Sequence, residues 1–61
     1  MVYLFVDNFD DESELEKALV DKGIEFQVYI DILVYGLNTP YIVVDGVPLD
    51  EKRAWKWIKE K

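Results

Sequence analysis

The chain has 61 residues, no cysteine and no histidine, and its 13 acidic and 7 basic residues give a formal net charge of -6. Without cysteine, disulfides and thiol chemistry are excluded, and the negative charge disfavours binding to a nucleic-acid backbone. No apolar run approaches the roughly 18 residues of a membrane span, and no signal peptide is evident, so we expect one cytoplasmic domain over residues 1–61 with no membrane partner.

The first predicted elements are a strand and a helix. Residues 2–6 form a continuous apolar run, which is typical of a strand buried on both faces. Asp11 with Glu14 and Ser13 with Glu16 both fit the spacing of a capping box, which predicts a helix that starts near residues 11–13. Its buried stripe consists of Leu15, Ala18 and Leu19. Gly23 follows the last turn and ends the helix in the left-handed conformation.

The next segment predicts an edge strand followed by a short connector. Residues 24–30 alternate apolar and polar side chains, as in a strand with one wetter face. Residues 31–36 continue this alternation. They could therefore extend the strand or form a single helical turn before Gly36, and the sequence leaves both possibilities open.

The last third of the chain predicts a hairpin and a helix. Residues 41–44 are apolar at consecutive positions, and the Asp-Gly pair at residues 45–46 is a strong signal for a two-residue turn. Pro48 places the fourth strand at a sheet edge. Asp50 then caps a helix that we expect to run through Lys61. Its apolar face consists of Ala54, Trp55 and Ile58.

Together these elements predict an α/β fold with the order β-α-β, a short connector, then β-β-α. The two continuous apolar runs identify the first and third strands as central, which gives a four-stranded mixed sheet in the order 2-1-3-4. A right-handed crossover places the first helix on one face of the sheet. The amphipathic last helix needs the same apolar surface, so both helices should cover one face and leave the other thinly covered.

Two segments resemble the glutaredoxin branch of the thioredoxin-fold family. Residues 38–49 read NTPYIVVDGVPL and, with the capped helix that follows, resemble the family's Thr, Pro, strand, tight turn and final helix. Residues 21–26, DKGIEF, resemble the end of its first helix and the start of its second strand. With the first strand, the resemblance covers nearly the whole chain. It implies a glutaredoxin-like fold and a cis peptide bond before Pro40.

The chain departs from that family in two ways. The family's Cys-x-x-Cys motif falls near residues 9–12, where this chain has no sulfur, so thiol-disulfide exchange is excluded. The connector at residues 31–36 is also too short for the family's usual second helix. Without that helix, fewer residues are available to cover one face of the sheet.

Catalytic side chains are scarce, because the chain lacks His and Cys and has a single Ser. We therefore expect no enzyme activity and no cofactor. The acidic cluster at residues 10–12 could bind a hard cation, but it lacks the spacing of an EF-hand loop. Helix capping and the helix dipole account for the cluster, so we predict no metal site.

These observations predict a redox-inactive binding module for a protein partner, or for a second copy of the chain. The alternative is non-catalytic binding of a peptide or glutathione-like ligand beside Pro40, and a weaker one is an acidic decoy for a basic surface. The candidate ligand or partner contacts are Phe9, Asp10, Asp11, Glu12, Thr39, Pro40 and Tyr41. The candidate interface on the open sheet face and last helix consists of Tyr3, Phe5, Tyr29 and Trp57.

The sequence leaves open which side chains share the open face of the sheet, whether the connector covers that face, and how deeply Trp57 is buried. Tyr29 lies opposite the apolar set of its strand, and either Tyr3 and Phe5 or their neighbours share its face. Residues 32–35 either leave that face exposed or fold back to cover it. On the last helix, Trp57 is either half exposed or buried together with Trp55, and a wide buried stripe favours the second.

Overall fold

A computed structural model of the chain describes residues 1–9, 13–32 and 35–61. The elements in chain order are β1 (Val2–Val6), α1 (Glu14–Asp21), β2 (Phe26–Ile30), β3 (Tyr41–Val44), β4 (Val47–Leu49) and α2 (Glu51–Lys59). None of the helices among these residues is long and apolar enough to cross a membrane.

The sheet has the predicted mixed topology. Its strand order is β2-β1-β3-β4. β1 runs parallel to β2, with Val2 opposite Phe26, and antiparallel to β3, with Val2 opposite Val44. β3 and β4 are antiparallel. The two continuous apolar runs are therefore the central strands, as their composition predicts.

Local capping fixes where each helix begins. The Glu16 amide donates to the Ser13 hydroxyl at 3.1 Å, and the Arg53 amide donates to the Asp50 carboxylate at 2.8 Å. Each contact satisfies an amide that has no partner within its helix. Gly23 has a φ of 68° just after α1, in the left-handed region that suits glycine.

The end of α2 and the β3–β4 turn are also set locally. α2 ends at Lys59, two residues before the predicted Lys61, because the Lys61 amide donates to the carbonyl of Ile58 and tightens the last turn. At the turn, Asp45 and Gly46 both have positive φ, 50° and 84°. Two positive φ values are typical of the type I′ hairpin turn, which matches strand twist.

Both helices pack on one face of the sheet, as predicted. That face presents even-numbered residues of β1 and β3, and no residue of the core against it is more than 7% exposed. The core consists of Val2, Leu4, Val6, Leu15, Leu19, Ile42, Ala54 and Ile58. We call this side of the sheet the helix-covered face.

The connector between β2 and β3 decides how the opposite face is covered. Asp31 extends the β1–β2 pairing by one hydrogen bond, from its amide to the carbonyl of Val6 at 2.9 Å. Neither Ile32 nor Tyr35 belongs to a strand or a helix. Among the described residues of the connector, neither the extended strand nor the helical turn is therefore present, and residues 33–34 lie outside the described part.

Candidate functional site

The face of the sheet opposite the helices is lined by aromatic rings. Side chains alternate along a strand, so the odd-numbered residues of β1, β2 and β3 point away from the helices. This places Tyr3 and Phe5 on the same face as Tyr29, which decides between the two arrangements that the sequence allows. We call this surface the aromatic face; it consists of Tyr3, Phe5, Tyr29, Tyr35, Tyr41 and Val43.

The rings contact one another across the strands. Phe5 stacks on Tyr41 with centroids 4.9 Å apart and planes 7° apart. Tyr35 meets both rings edge-on at 6.1 Å. Tyr29 lies 5.5 Å from Tyr3 and 6.0 Å from Phe5. These tilted, stacked and edge-on arrangements are the ones that aromatic pairs prefer, and they hold the rings in fixed positions.

Tyr41 is the buried member of this set. Its side chain is 1% exposed, and its hydroxyl donates to the Asp31 carboxylate at 2.9 Å. Burial, followed by the hydrogen bond to Asp31 and the charge of that carboxylate, raises the pKa of the Tyr41 hydroxyl to about 12. The ring is therefore a neutral structural element of this face at any physiological pH.

The other four rings of this face are only partly covered. Tyr35 folds back over Phe5 and Tyr41, but it is itself 41% exposed, and Tyr29 is 43% exposed. Ile32 is 72% exposed beside them. A shallow concavity of about 380 Å³ runs along the face between Tyr3, Phe5, Tyr29, Ile30, Ile32, Tyr35, Val43 and Gly46. Among the described residues, Tyr35 of the connector contacts Tyr41, which is buried like Val43, whereas Tyr3, Phe5, Tyr29 and Tyr35 itself stay at least partly accessible.

Acidic residues border the aromatic face at both ends. An aspartate follows each of β1, β2 and β3: Asp7, Asp31 and Asp45. Because β1 and β2 are parallel, Asp7 and Asp31 lie at one end of the sheet, and Asp45 lies at the other. The amino-terminal ammonium group contacts the Asp45 carboxylate at 2.6 Å. That hydrogen bond and charge lower the Asp45 pKa.

The described residues that were predicted to bind a ligand beside Pro40 do not line one common groove. The Thr39–Pro40 peptide bond is cis, as the family resemblance implies. The Thr39 hydroxyl donates to Asp7, and Tyr41 is buried. Phe9 is 67% exposed and lines a concavity along α1, whereas Thr39 lines a separate one beside the start of α2. Asp10, Asp11 and Glu12 lie outside the described residues.

Trp57 does not join the candidate interface. It is half-buried on α2 and packs against the helix-side core, as does Trp55. The ammonium of Lys61 lies 4.7 Å from the centroid of the Trp57 ring. Of the four predicted interface residues, the structure therefore brings together Tyr3, Phe5 and Tyr29 and separates Trp57 from them.

Two contributors were not among the predicted site residues, Asp31 and Tyr35, although Tyr35 belongs to the segment that the sequence allowed to fold back over this face. The position of Asp31 could have been predicted, because it directly follows β2 and is two residues after Tyr29, so its side chain is expected on the same face of the sheet. The position of Tyr35 could not be predicted in this way, since it depends on how an irregular connector folds. Tyr35 contacts the rings of Phe5 and Tyr41, and Asp31 accepts a hydrogen bond from the Tyr41 hydroxyl.

The described residues include no group of three or more acidic side chains placed to hold a metal ion. No protein-family model matches the chain, and neither a curated protein nor a solved structure is significantly similar to it. The α/β architecture therefore stands on the strand order and helix positions, and the glutaredoxin resemblance stays a prediction from sequence.

Proposed function

We propose that this chain is a redox-inactive binding module that holds a protein partner on its aromatic face. The proposal rests on one observation: among the described residues no helix packs on this face of the sheet, and Tyr29, Tyr35 and Ile32 stay exposed on it. Exposed apolar patches of this kind mark interaction sites in small proteins. The absence of cysteine leaves binding, rather than thiol exchange, as the use of such a surface.

The rings are well suited to anchor a partner. Tyrosine is enriched at the energetic centres of protein interfaces, because it combines a large apolar area with a polar end. Here Phe5 is fixed between Tyr41 and Tyr29, so little side-chain freedom remains to be lost on binding. The surface is therefore preorganised.

An unpaired strand edge borders the same face. β2 carries Tyr29 and lies at the edge of the sheet next to β1, and no strand among the described residues pairs with its far side. The opposite edge, β4, has only three residues and includes Pro48, which cannot donate a ladder hydrogen bond. A partner on the aromatic face can thus reach free backbone groups along β2 but not along β4.

Site-specific photocrosslinking tests this proposal. A photoreactive phenylalanine analogue replaces Tyr29 in one sample and Lys56, which is exposed on α2, in a matched control. In extract of the source cells, we expect a discrete crosslinked protein from position 29 and none from position 56. Mass spectrometry separates a partner from a second copy of the chain. Identical crosslinks from both positions, or none from position 29, would refute the proposal.

A further inference from the structure

We propose that the segment bound by the aromatic face is cationic, and that one of its arginine side chains lies on the exposed ring of Tyr29. This inference rests on the proposed function and specifies the chemistry of the partner. It follows from the distribution of charge between the two sides of the sheet, from the ring chemistry and from the size of the face.

The chain places its basic residues on the side away from the aromatic face. All 7 lysine and arginine residues belong to the two helices or to the residues that end them, and both helices pack on the opposite side of the sheet. They are Lys17, Lys22, Lys52, Arg53, Lys56, Lys59 and Lys61. Among the described residues that line the aromatic concavity, none carries a positive charge.

Negative charge, in contrast, borders the aromatic face. Asp7 accepts a hydrogen bond from the Thr39 hydroxyl, and Asp31 accepts one from the Tyr41 hydroxyl. Each carboxylate also has acceptor positions for more than one donor. Asp45 is neutralised in part by the amino terminus. Two carboxylates therefore lie at one end of the face, and one, in contact with the amino terminus, lies at the other.

Aromatic rings add a second attraction for a cation. The face of a tyrosine or phenylalanine ring is electron-rich and attracts arginine or lysine within about 6 Å of the ring centroid. This chain already makes one such contact, between Lys61 and Trp57 at 4.7 Å. Guanidinium is favoured over ammonium because it is planar, stacks on rings and is more weakly hydrated.

The size of the face favours a short segment over a second copy of the chain. Four strands at about 4.8 Å spacing and at most five residues in length cover roughly 300 Å². A standard interface buries about 800 Å² on each partner. Face-to-face pairing of two chains, each with a net charge of -6, would also bring their carboxylates together.

A peptide titration tests the inference. The probe is a short acetylated and amidated peptide that alternates arginine and valine, added to the full chain and followed by NMR of amides and aromatic side chains. The matched control peptide carries citrulline, which is neutral and nearly isosteric, in place of arginine. With the arginine peptide, we expect chemical-shift changes at Tyr3, Phe5, Tyr29 and Tyr35. The affinity of the peptide should fall as salt is added.

Two pairs of variants separate ring and charge contributions. Tyr29→Leu, which keeps apolar bulk, should weaken binding about two- to fivefold, whereas Tyr29→Phe should stay within about twofold of the original. Asp31→Asn can still accept from Tyr41 but lacks the charge, so it should weaken binding as well. Glu60→Gln, at the end of α2, is the charge-matched control and should leave binding unchanged.

The inference is overturned by equal binding of the citrulline peptide, or by shifts that map to α1 rather than to the rings. It is also overturned if the chain alone dimerises through the aromatic face in sedimentation equilibrium. A protein crosslinked from position 29 in cell extract, combined with no binding of the arginine peptide, would reject the cationic partner and leave the proposed function standing.

Discussion

The two faces of this sheet are made by alternate residues of the same strands, yet they are stabilised in different ways. On the helix-covered face, Leu4 and Ile42 are fully buried beneath two amphipathic helices. On the aromatic face, Phe5 and Tyr41 cover each other by stacking, and Tyr35 from the connector adds the only ring that the described residues contribute from outside the strands.

This difference shows how a 61-residue chain can stabilise a sheet on which the described helices pack against one face only. Aliphatic side chains have no polar end, so burying them requires a second layer. Large rings exclude water from one another, and a tyrosine hydroxyl can bond to a polar group at the rim, as Tyr41 does with Asp31. The aromatic face can therefore stay open for binding without leaving the central strands unprotected.

The largest effect is expected on the helix-covered face. Leu4→Ala removes a fully buried side chain and leaves a cavity that the packed helices cannot fill. We expect the free energy of unfolding to fall by about 2–5 kcal/mol, a large fraction of the stability of so small a domain. Urea denaturation followed by the fluorescence of Trp55 and Trp57 measures the change.

A matched control for this substitution is Val20→Ala on the exposed side of α1, which should change stability by less than about 0.5 kcal/mol. If both variants unfold at the same urea concentration, the side chain of Leu4 does not contribute to stability as a buried residue of the helix-covered face.

An intermediate effect is expected at high pH on the aromatic face. An unfolded tyrosine ionises near pH 10, and the folded Tyr41 has a pKa of about 12. Because the raised pKa favours the protonated hydroxyl, its contribution to stability is complete below pH 10 and is lost between pH 10 and 12. Two pKa units correspond to about 2–3 kcal/mol.

The measurement compares the free energy of unfolding of the original chain with that of Tyr41→Phe from pH 9 to 12. Tyr41→Phe should lose less stability over this range, because it has no buried hydroxyl to ionise. Parallel pH curves for the two proteins would show that burial of Tyr41 does not oppose its ionisation.

The smallest effect on stability is expected at Tyr29. Tyr29→Ala removes tilted contacts with Tyr3 and Phe5 from an exposed site, so the free energy of unfolding should fall by only about 0.5–1.5 kcal/mol. Partner capture from a photoreactive group at Tyr3 should nevertheless be lost. Circular dichroism and thermal melts establish that the variant is folded. A loss of stability as large as that of Leu4→Ala would place Tyr29 in the core.

Much of the fold could be predicted from local patterns. The caps at Ser13 and Asp50, the turn at Asp45 and Gly46, and the central position of the two apolar strands all follow from a few adjacent residues. The end of α2 was less predictable, because the closing hydrogen bonds of its last turn depend on geometry that several side chains would permit.

The candidate site was predictable in part. Tyr3, Phe5 and Tyr29 were identified as interface residues, but their common face was not, because β1 is apolar on both sides and has no parity signal. Trp57 was included because its position around the last helix could leave it half exposed, but it packs against the core on the opposite side of the sheet. The groove beside Pro40 was expected to include Phe9, which lines a different concavity from Thr39.

By itself, the sequence determined the element order, the strand order and the exclusion of thiol chemistry, because these depend on short-range periodicity and on composition. Only the tertiary structure decided which rings share a face, how deeply Tyr41 is buried and how far Tyr35 covers the sheet. These features depend on contacts between residues distant in sequence, and on an irregular connector whose path no local pattern specifies.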